Sequence, residues 1–307
     1  MAVDLNRGTS GVALPEAFAR EVWREAQEES AVARLASPIN LPGNGLTVPL
    51  MTGDVVADWV DETDEKPVSR PTFSSKSIKG YTMAVIVPVS NQFRRDADNL
   101  YAELLRSLPK ALAAKLDSTV LGGSAPGTGF DVLSSATDVG LKPAVAGNED
   151  AEGVLQVIEA VEADGGVLDG WAVSPQGKAL LRRAKDGDGR ALLTEGYQVN
   201  IPQLLGAPVY TNRNIYKSGT PAQVGYAGQF KDNLYLGYVE GISISISDQA
   251  SITDGTVEVA EGVEVPNVIN LWQRNMFAVR AEMEVGVAVR DLGLIRKLTD
   301  AAAVAGS

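Results

Sequence analysis

The stretch Leu271–Asp291, LWQRNMFAVRAEMEVGVAVRD, constrains the fold more than any other part of the chain. Apolar residues alternate along it. As a strand it would carry Met276, Ala278 and Arg280 on one face and Phe277, Val279 and Ala281 on the other. Such a strand is buried or interfacial, yet it holds an amide, several arginines and, seven residues after Asn275, the carboxylate of Glu282. Burying these groups is costly unless they are paired. The segment is therefore expected to lie against something outside an ordinary monomer core.

The 307 residues suffice for one large domain or two medium ones with a sizeable core. Cysteine and histidine are both absent from the sequence. That excludes disulfides, thiolate nucleophiles, zinc sites of the usual kind and every Ser-His-Asp arrangement. Carboxylate, lysine and tyrosine chemistry remain open. The formal net charge is -12, and the cations are scattered, with Arg94-Arg95 and Arg182-Arg183 the densest pairs. No basic stripe is visible, and an acidic surface repels nucleic-acid phosphates. No apolar run approaches the ~20 residues that cross a bilayer. The N-terminal MAVDLNRGTS lacks a signal-peptide core. The expectation is a protein made in the cytoplasm, with no membrane contact.

Residues 1–13 are small and polar and read as a mobile arm. A helix is expected from Pro15 to Leu35, ended by Pro38. Gly43–Gly45 marks a turn, followed by strands at Leu46–Leu50 and Val55–Val60. The charged stretch DWVDETDEKPVSRPTF holds Pro67 and Pro71, which disfavour a long helix. Ser77–Val89 returns as a strand, so residues 44–89 read as one long projecting hairpin. A hairpin has too little core to stand alone, so it is expected to lie on another subunit.

From Asp96 to Leu121, Leu100, Leu104, Leu108, Leu112, Leu116 and Val120 recur every fourth residue, one stripe of a long helix. Asp96 or Asp98 would cap it, Gly122-Gly123 would end it, and Pro109 would kink it. The following GGSAPGTG lacks the Lys-Ser/Thr ending and the strand-to-helix setting of a phosphate loop. A helix is expected over Ala151–Ala163, with Val154, Leu155, Ile158 and Val161 inward. A strand over Gly170–Ser174, a helix over Pro175–Ala184 and a strand over Leu204–Thr211 complete an α+β unit across 130–225. DGDGR at Asp186–Arg190 echoes a calcium loop without its glutamate spacing. Ile242, Ile244 and Ile246 alternate with serines in a clean strand, Thr253–Pro266 reads as an acidic hairpin, and Asn270–Val289 is the long strand region.

Taken in order, these segments resemble the major capsid proteins of tailed phages, built on the Hong Kong 97 capsid fold. LPEAFAREVW resembles the entry after the N-terminal arm, and DADNLYAELLRSLPKALAAKLDSTVLGG the spine helix. WAVSPQGKALLRRAKDGDGRALL with LLGAPVYTN resembles the axial domain. GQFKDNLYLGYVEGISISISD and RNMFAVRAEMEVGVAVRD resemble the returning peripheral-domain strands. The resemblance implies an α+β fold with four parts. These are an arm and short helix over 1–43, an extended loop over 44–89, a peripheral domain over 90–129 and 226–307, and an axial domain over 130–225. It implies a structural subunit of hexamers and pentamers in an icosahedral shell, enclosing double-stranded DNA without reading its sequence. Such a virion protein needs no cofactor or metal and assembles in the bacterial host cytoplasm. Portal and decoration proteins are its expected partners. Because the chain starts directly at the arm, scaffolding is expected to be a separate protein or dispensable.

The resemblance also implies a covalent site. Lys66 falls at the position of a loop lysine that, in the founding member, joins a neighbour's asparagine with help from a glutamate. Asn275 and Glu282 keep the asparagine–glutamate spacing. In this reading Glu282, in an apolar pocket, takes a proton from Lys66, whose amine attacks the Asn275 carboxamide and releases ammonia. The alternative places Lys66 at an exposed loop tip, Asn275 in backbone hydrogen bonds, and Glu282 in a pair with Arg280 or Arg274. Two further readings of the whole chain stay open. One is an encapsulin-type nanocompartment shell protein. The other is a soluble enzyme using Asp58, Asp61, Glu62, Asp64 and Glu65.

Overall fold

The computed structural model describes residues 30–51, 57–60, 66, 68–70, 72–92, 98–142, 152–183, 193–194, 202–260 and 263–302. The arm and most of the helix expected before Leu35 lie outside these residues. The described helix, α1, covers only Ala31–Leu35, because Ser30 takes an extended conformation and accepts a hydrogen bond from Ala33 N–H as its N-cap. Pro38 does not simply stop the chain. It lies in β1 (Ser37–Asn40), an edge position where a missing N–H is tolerated.

The expected strand over Ser77–Val89 is two strands. β2 (Leu46–Met51) pairs antiparallel with β3 (Phe73–Ile78) as a self-contained hairpin. The chain then breaks at Lys79-Gly80, and β4 (Tyr81–Ser90) joins a different sheet. Residues 57–60, expected in a strand, have no regular structure. The spine-like helix α2 runs Asp98–Val120 with Pro109 inside. Its leucine stripe is buried as expected where side chains are described: Leu108, Leu112, Leu116 and Val120 are all at most 3% exposed.

Beyond α2 the chain forms β5 (Thr137–Lys142), α3 (Glu152–Ala163), β6 (Gly170–Val173) and α4 (Pro175–Leu181). Then follow β7 (Leu193–Thr194), β8 (Gln203–Leu204), β9 (Ala207–Thr211) and β10 (Gln223–Gly228). In α3 the inward residues are Val154, Val157 and Val161, whereas Leu155, expected inward, is exposed. The strand expected over Leu204–Thr211 is split by a turn in which Leu205 and Gly206 both have positive φ, +50° and +86°. The last strands are β11 (Leu234–Ser247), β12 (Ser251–Ala260), β13 (Val263–Asn270), β14 (Met276–Val289) and β15 (Ile295–Ala302).

Two sheets organise the molecule. The first has the order β1-β11-β14-β4, and α2 packs on one of its faces. Phe277, Val279, Ala281, Val285 and Val287 of β14 point into that core, each at most 2% exposed. The second sheet, β5-β15-β10-β6-β9-β8-β7, contains the C-terminal strand between β5 and β10. The C-terminal strand thus pairs in this sheet and not in the first. β15 lies parallel to β5 and antiparallel to β10. One face of the second sheet packs under α3 and α4 through Trp171, Val173, Val224 and Leu298. The other face joins the first core through Ala172, Tyr226 and Ile295. Strands buried on both faces read as continuous apolar runs, and GWAV of β6 is buried throughout.

A buried carboxylate ties the parts together. Asp117 of α2 is fully buried and accepts hydrogen bonds from Ser30 Oγ (2.7 Å), Ala31 N–H (2.9 Å), Val32 N–H (3.1 Å) and Asn212 Nδ2. It thus caps α1 and fixes the loop after β9. Burial pushes its pKa up, against the opposing pull of those donors and of Arg34.

Candidate functional site

The outer face of the first sheet, opposite α2, is divided by residue size. At one end Ala278 lies under the root of the β12–β13 hairpin, packed with Ile269 and Leu271. At the other end Gly286 and Ala288 lie under the root of the β2–β3 hairpin. There Ala288 packs with Leu41 and Ile78, and a Cβ on Gly286 would come within 2.6 Å of the Lys79 carbonyl. Small residues stand where the hairpins press down. Between them Arg280, Glu282 and Glu284 face outward, which accounts for the charges in a strand whose other face is core.

Among the described residues, both hairpins pair only with themselves. The β2–β3 root is anchored by Lys76, whose ammonium meets Asp131 at 2.6 Å and also donates to the Val289 carbonyl. Asp131 in turn accepts from Val289 N–H at 2.8 Å. Beyond this root the hairpin presents Phe73 and, in the segment it encloses, Trp59 and Val68, all strongly exposed. The β12–β13 side presents Val268 and, in the turn into β14, Trp272, which is 74% exposed. Large apolar side chains held out on two-stranded ribbons are the composition of a protein interface rather than of a free surface.

The three residues singled out for covalent chemistry are all on this outer side or on the projecting segment. Lys66 is exposed. Asn275 is exposed in a left-handed conformation, φ +52°, which Asn tolerates better than most residues. Its carbonyls face Asn91: the side-chain oxygen accepts from Asn91 Nδ2 at 3.0 Å, and the backbone oxygen from Asn91 N–H at 3.1 Å. The sequence reading missed Asn91. Glu282 does not sit in an apolar pocket. It stands opposite Ser243, its side chain is 31% exposed, and it pairs with Arg280 at 3.2 Å. Seven residues of strand put Asn275 and Glu282 roughly 20 Å apart at ~3.3 Å per residue. One subunit therefore does not bring them together.

Of the acids considered as an enzyme cluster, Asp58 is exposed, and Asp61, Glu62, Asp64 and Glu65 lie outside the described residues. The calcium-like Asp186–Arg190 also lies outside them. Among the described residues no group of three or more acids is placed to hold a metal ion, and no helix is long and apolar enough to cross a membrane.

The model of the phage capsid family matches residues 10–300. The chain belongs to the phage capsid family. It is 28% identical over 295 residues to the probable major capsid protein gp17 of Mycobacterium phage L5, covering 92% of this chain and 87% of that one. It is 22% identical to the major capsid protein of Staphylococcus phage 80alpha, covering 92% of this chain and 84% of that one. Among solved structures, a chain from Mycobacterium phage Adephagia superposes with a TM-score of 0.69 at 22% identity, over 91% of each chain. A chain from the capsid of an empty GTA particle gives 0.62 at 16% identity, over 89% of this chain and 90% of that one. The chain is thus a major capsid protein, a structural shell subunit, and the mixed α+β architecture is that of phage capsid chains. The encapsulin and carboxylate-enzyme readings are not favoured.

Proposed function

We propose that this subunit closes into hexamers and pentamers of an icosahedral shell around double-stranded DNA, with the parts of a Hong Kong 97-like fold. In this reading the first sheet and α2 form the peripheral domain, and the second sheet forms the axial domain. The β2–β3 hairpin with its enclosed segment is the extended loop. The observation that carries the reading is the pair of self-paired hairpins with exposed Trp59 and Trp272. Among the described residues neither ribbon has a third strand, and a copy of the same chain supplies the missing surface without a further partner. The GTA neighbour, solved with C5 symmetry, is consistent with five-fold vertices. Separate scaffolding, portal and decoration proteins fit the same scheme, as does assembly in the host cytoplasm. Electron microscopy of particles from a producing culture tests it: closed shells with five- and six-fold capsomers are expected, and open sheets or filaments would refute it.

The covalent site is part of the same proposal, in a form that the spacing of these residues supports. Lys66, Asn275 and Glu282 act from different copies, since Asn275 and its own Glu282 are too far apart. A neighbouring copy's glutamate takes the proton of the Lys66 ammonium. The neutral Nζ attacks the Asn275 Cγ, whose oxygen is already polarised by Asn91 Nδ2. The C–N bond to Lys66 forms, the bond to the amide nitrogen breaks, and the returned proton lets ammonia leave. Denaturing electrophoresis of mature particles should show ladders that collapse in K66R and N275A. A single band at the subunit mass of 32.3 kDa removes the covalent step.

A further inference from the structure

Asn91 follows the last residue of β4, and Asn275 precedes the first residue of β14. The two strands pair up to Ser90 and Met276, so the asparagines stand opposite each other just beyond the ladder. Asn91 holds both carbonyls of Asn275. Its backbone N–H donates to the Asn275 peptide oxygen at 3.1 Å, and its Nδ2 donates to Oδ1 at 3.0 Å. The turn that carries Asn275 is closed by Met276 N–H on the Leu271 carbonyl (2.9 Å) and by Gln273 N–H on Asn270 Oδ1 (3.1 Å). Asn275 has φ +52°, and its own N–H turns back to the Trp272 carbonyl at 3.3 Å. The carboxamide is thus held by its backbone and by its oxygen, on an exposed residue. Among the described residues its Nδ2 donates to nothing, and Asn91 Oδ1 accepts from nothing. The backbone bond alone would close this end of the sheet, so the side-chain bond calls for a separate account.

We propose that Asn91 Nδ2 is the oxyanion donor for lysine attack on Asn275, and that the direction of this one hydrogen bond selects Asn275 over Asn91 as the residue attacked. The proposal rests on the covalent reading above. As the neutral Lys66 Nζ bonds to Asn275 Cγ, the carbonyl electron pair moves onto Oδ1. A donor already at 3.0 Å then meets a developing negative charge, so its bond is stronger in the transition state than in the ground state. When the pair returns, the bond from Cγ to Nδ2 breaks. One amine proton goes to Nδ2, which leaves as ammonia, and the Asn91 N–H is not transferred. Asn91 has the opposite polarity. Its amide nitrogen is engaged and its oxygen has no donor among the described residues, so the same lysine finds no stabilised oxyanion there.

The test is a time course of cross-linking in assembled particles, read by denaturing electrophoresis, with the joined peptide identified by mass spectrometry. Asn91→Asp keeps the shape and the backbone bond but sets an acceptor beside Oδ1 at neutral pH. It should form particles and slow ladder formation by about 100-fold, the scale of losing one oxyanion donor. Asn91→Gln keeps a donor amide and should stay closer to wild type than Asn91→Asp. If the added charge of Asn91→Asp blocks assembly, Asn91→Ala removes the donor without it and should show the same loss. The wild-type joined peptide should carry its branch at Asn275, with one ammonia lost. Donor-free particles that cross-link at the wild-type rate would overturn the proposal, as would a wild-type branch at Asn91. Equal slowing in Asn91→Gln and the donor-free variant, or failure of all three variants to assemble, would make the bond a structural one and also overturn it. Wild-type particles without ladders would remove the covalent reading and this role with it, whereas ladders that survive loss of the donor unchanged would remove only the role of Asn91.

Discussion

Asp117→Asn tests the link between the N-terminal segment, α2 and the loop after β9. The carboxylate takes Ser30 Oγ and Val32 N–H on one oxygen, and Ala31 N–H and Asn212 Nδ2 on the other. An amide must replace one acceptor by a donor. Placed at the first oxygen, its NH2 can be met by a reoriented Ser30 hydroxyl, and only Val32 N–H is orphaned. Placed at the second, it faces two N–H donors. The first arrangement is favoured, and one unpaired buried N–H costs ~1–3 kcal/mol. Asp117→Ala leaves Ala31 N–H, Val32 N–H and the Asn212 amide unpaired, for roughly 3–5 kcal/mol once relief of the buried charge is subtracted. Urea titration of dispersed subunits reads both. Ser30→Ala, which removes the α1 cap, should cost about 1 kcal/mol and be non-additive with Asp117→Asn, because both act on one network. The pH dependence carries a sign. The folded pKa of Asp117 is raised above its ordinary 3.8, so the folded state holds more protons in that window. The group's contribution is fully present below 3.8 and is lost as pH rises through the folded value. Asp117→Asn should flatten that fall. A variant within about 0.5 kcal/mol of wild type, with an unchanged pH profile, would refute the role given to this carboxylate.

Other outcomes follow from the same structure. Asp300 has the opposite sign: Ala222 N–H and Lys142 lower its pKa, so its contribution is present above 3.8 and is lost as pH falls through the folded value, a step Asp300→Asn should remove from an acid titration. Leu298→Ala empties a fully buried position in β15 and should cost ~2–5 kcal/mol by urea titration, whereas a peripheral C-terminal tail would lose almost nothing. Trp272→Ala should leave subunit stability within about 0.5 kcal/mol, because the side chain is exposed, but lower the yield of particles counted by microscopy.

Much of the fold was legible where one face of an element decides its burial. The four-residue spacing of leucines gave α2, and alternation gave β14 with Phe277, Val279 and Ala281 on one face, which the structure makes the inward one. Elements placed by distant partners were not legible. β15, IRKLTDAA, has no clean alternation and is buried by β5 and β10, more than sixty residues away in sequence. β1 is four residues long and contains a proline. Leu155 reads as apolar and inward, yet Val157 holds the inward position on the same helix. In the outer-face site, the sequence named Asn275 and Glu282, and its alternative reading already paired Glu282 with Arg280, but it did not name Asn91. Asn91 reaches Asn275 across 184 positions, a distance that no local pattern bridges. The charges in this buried strand are explained by its two faces: core on one side, hairpin roots and a charged gap on the other.

Imaging the particles tests the central claim most directly. Electron microscopy of purified full-length protein, and of lysate from a producing culture, should show closed icosahedral shells built from this subunit, with the β2–β3 hairpin of one copy seated against the next. A monodisperse monomer under all conditions, with no shell in the lysate, would contradict the account.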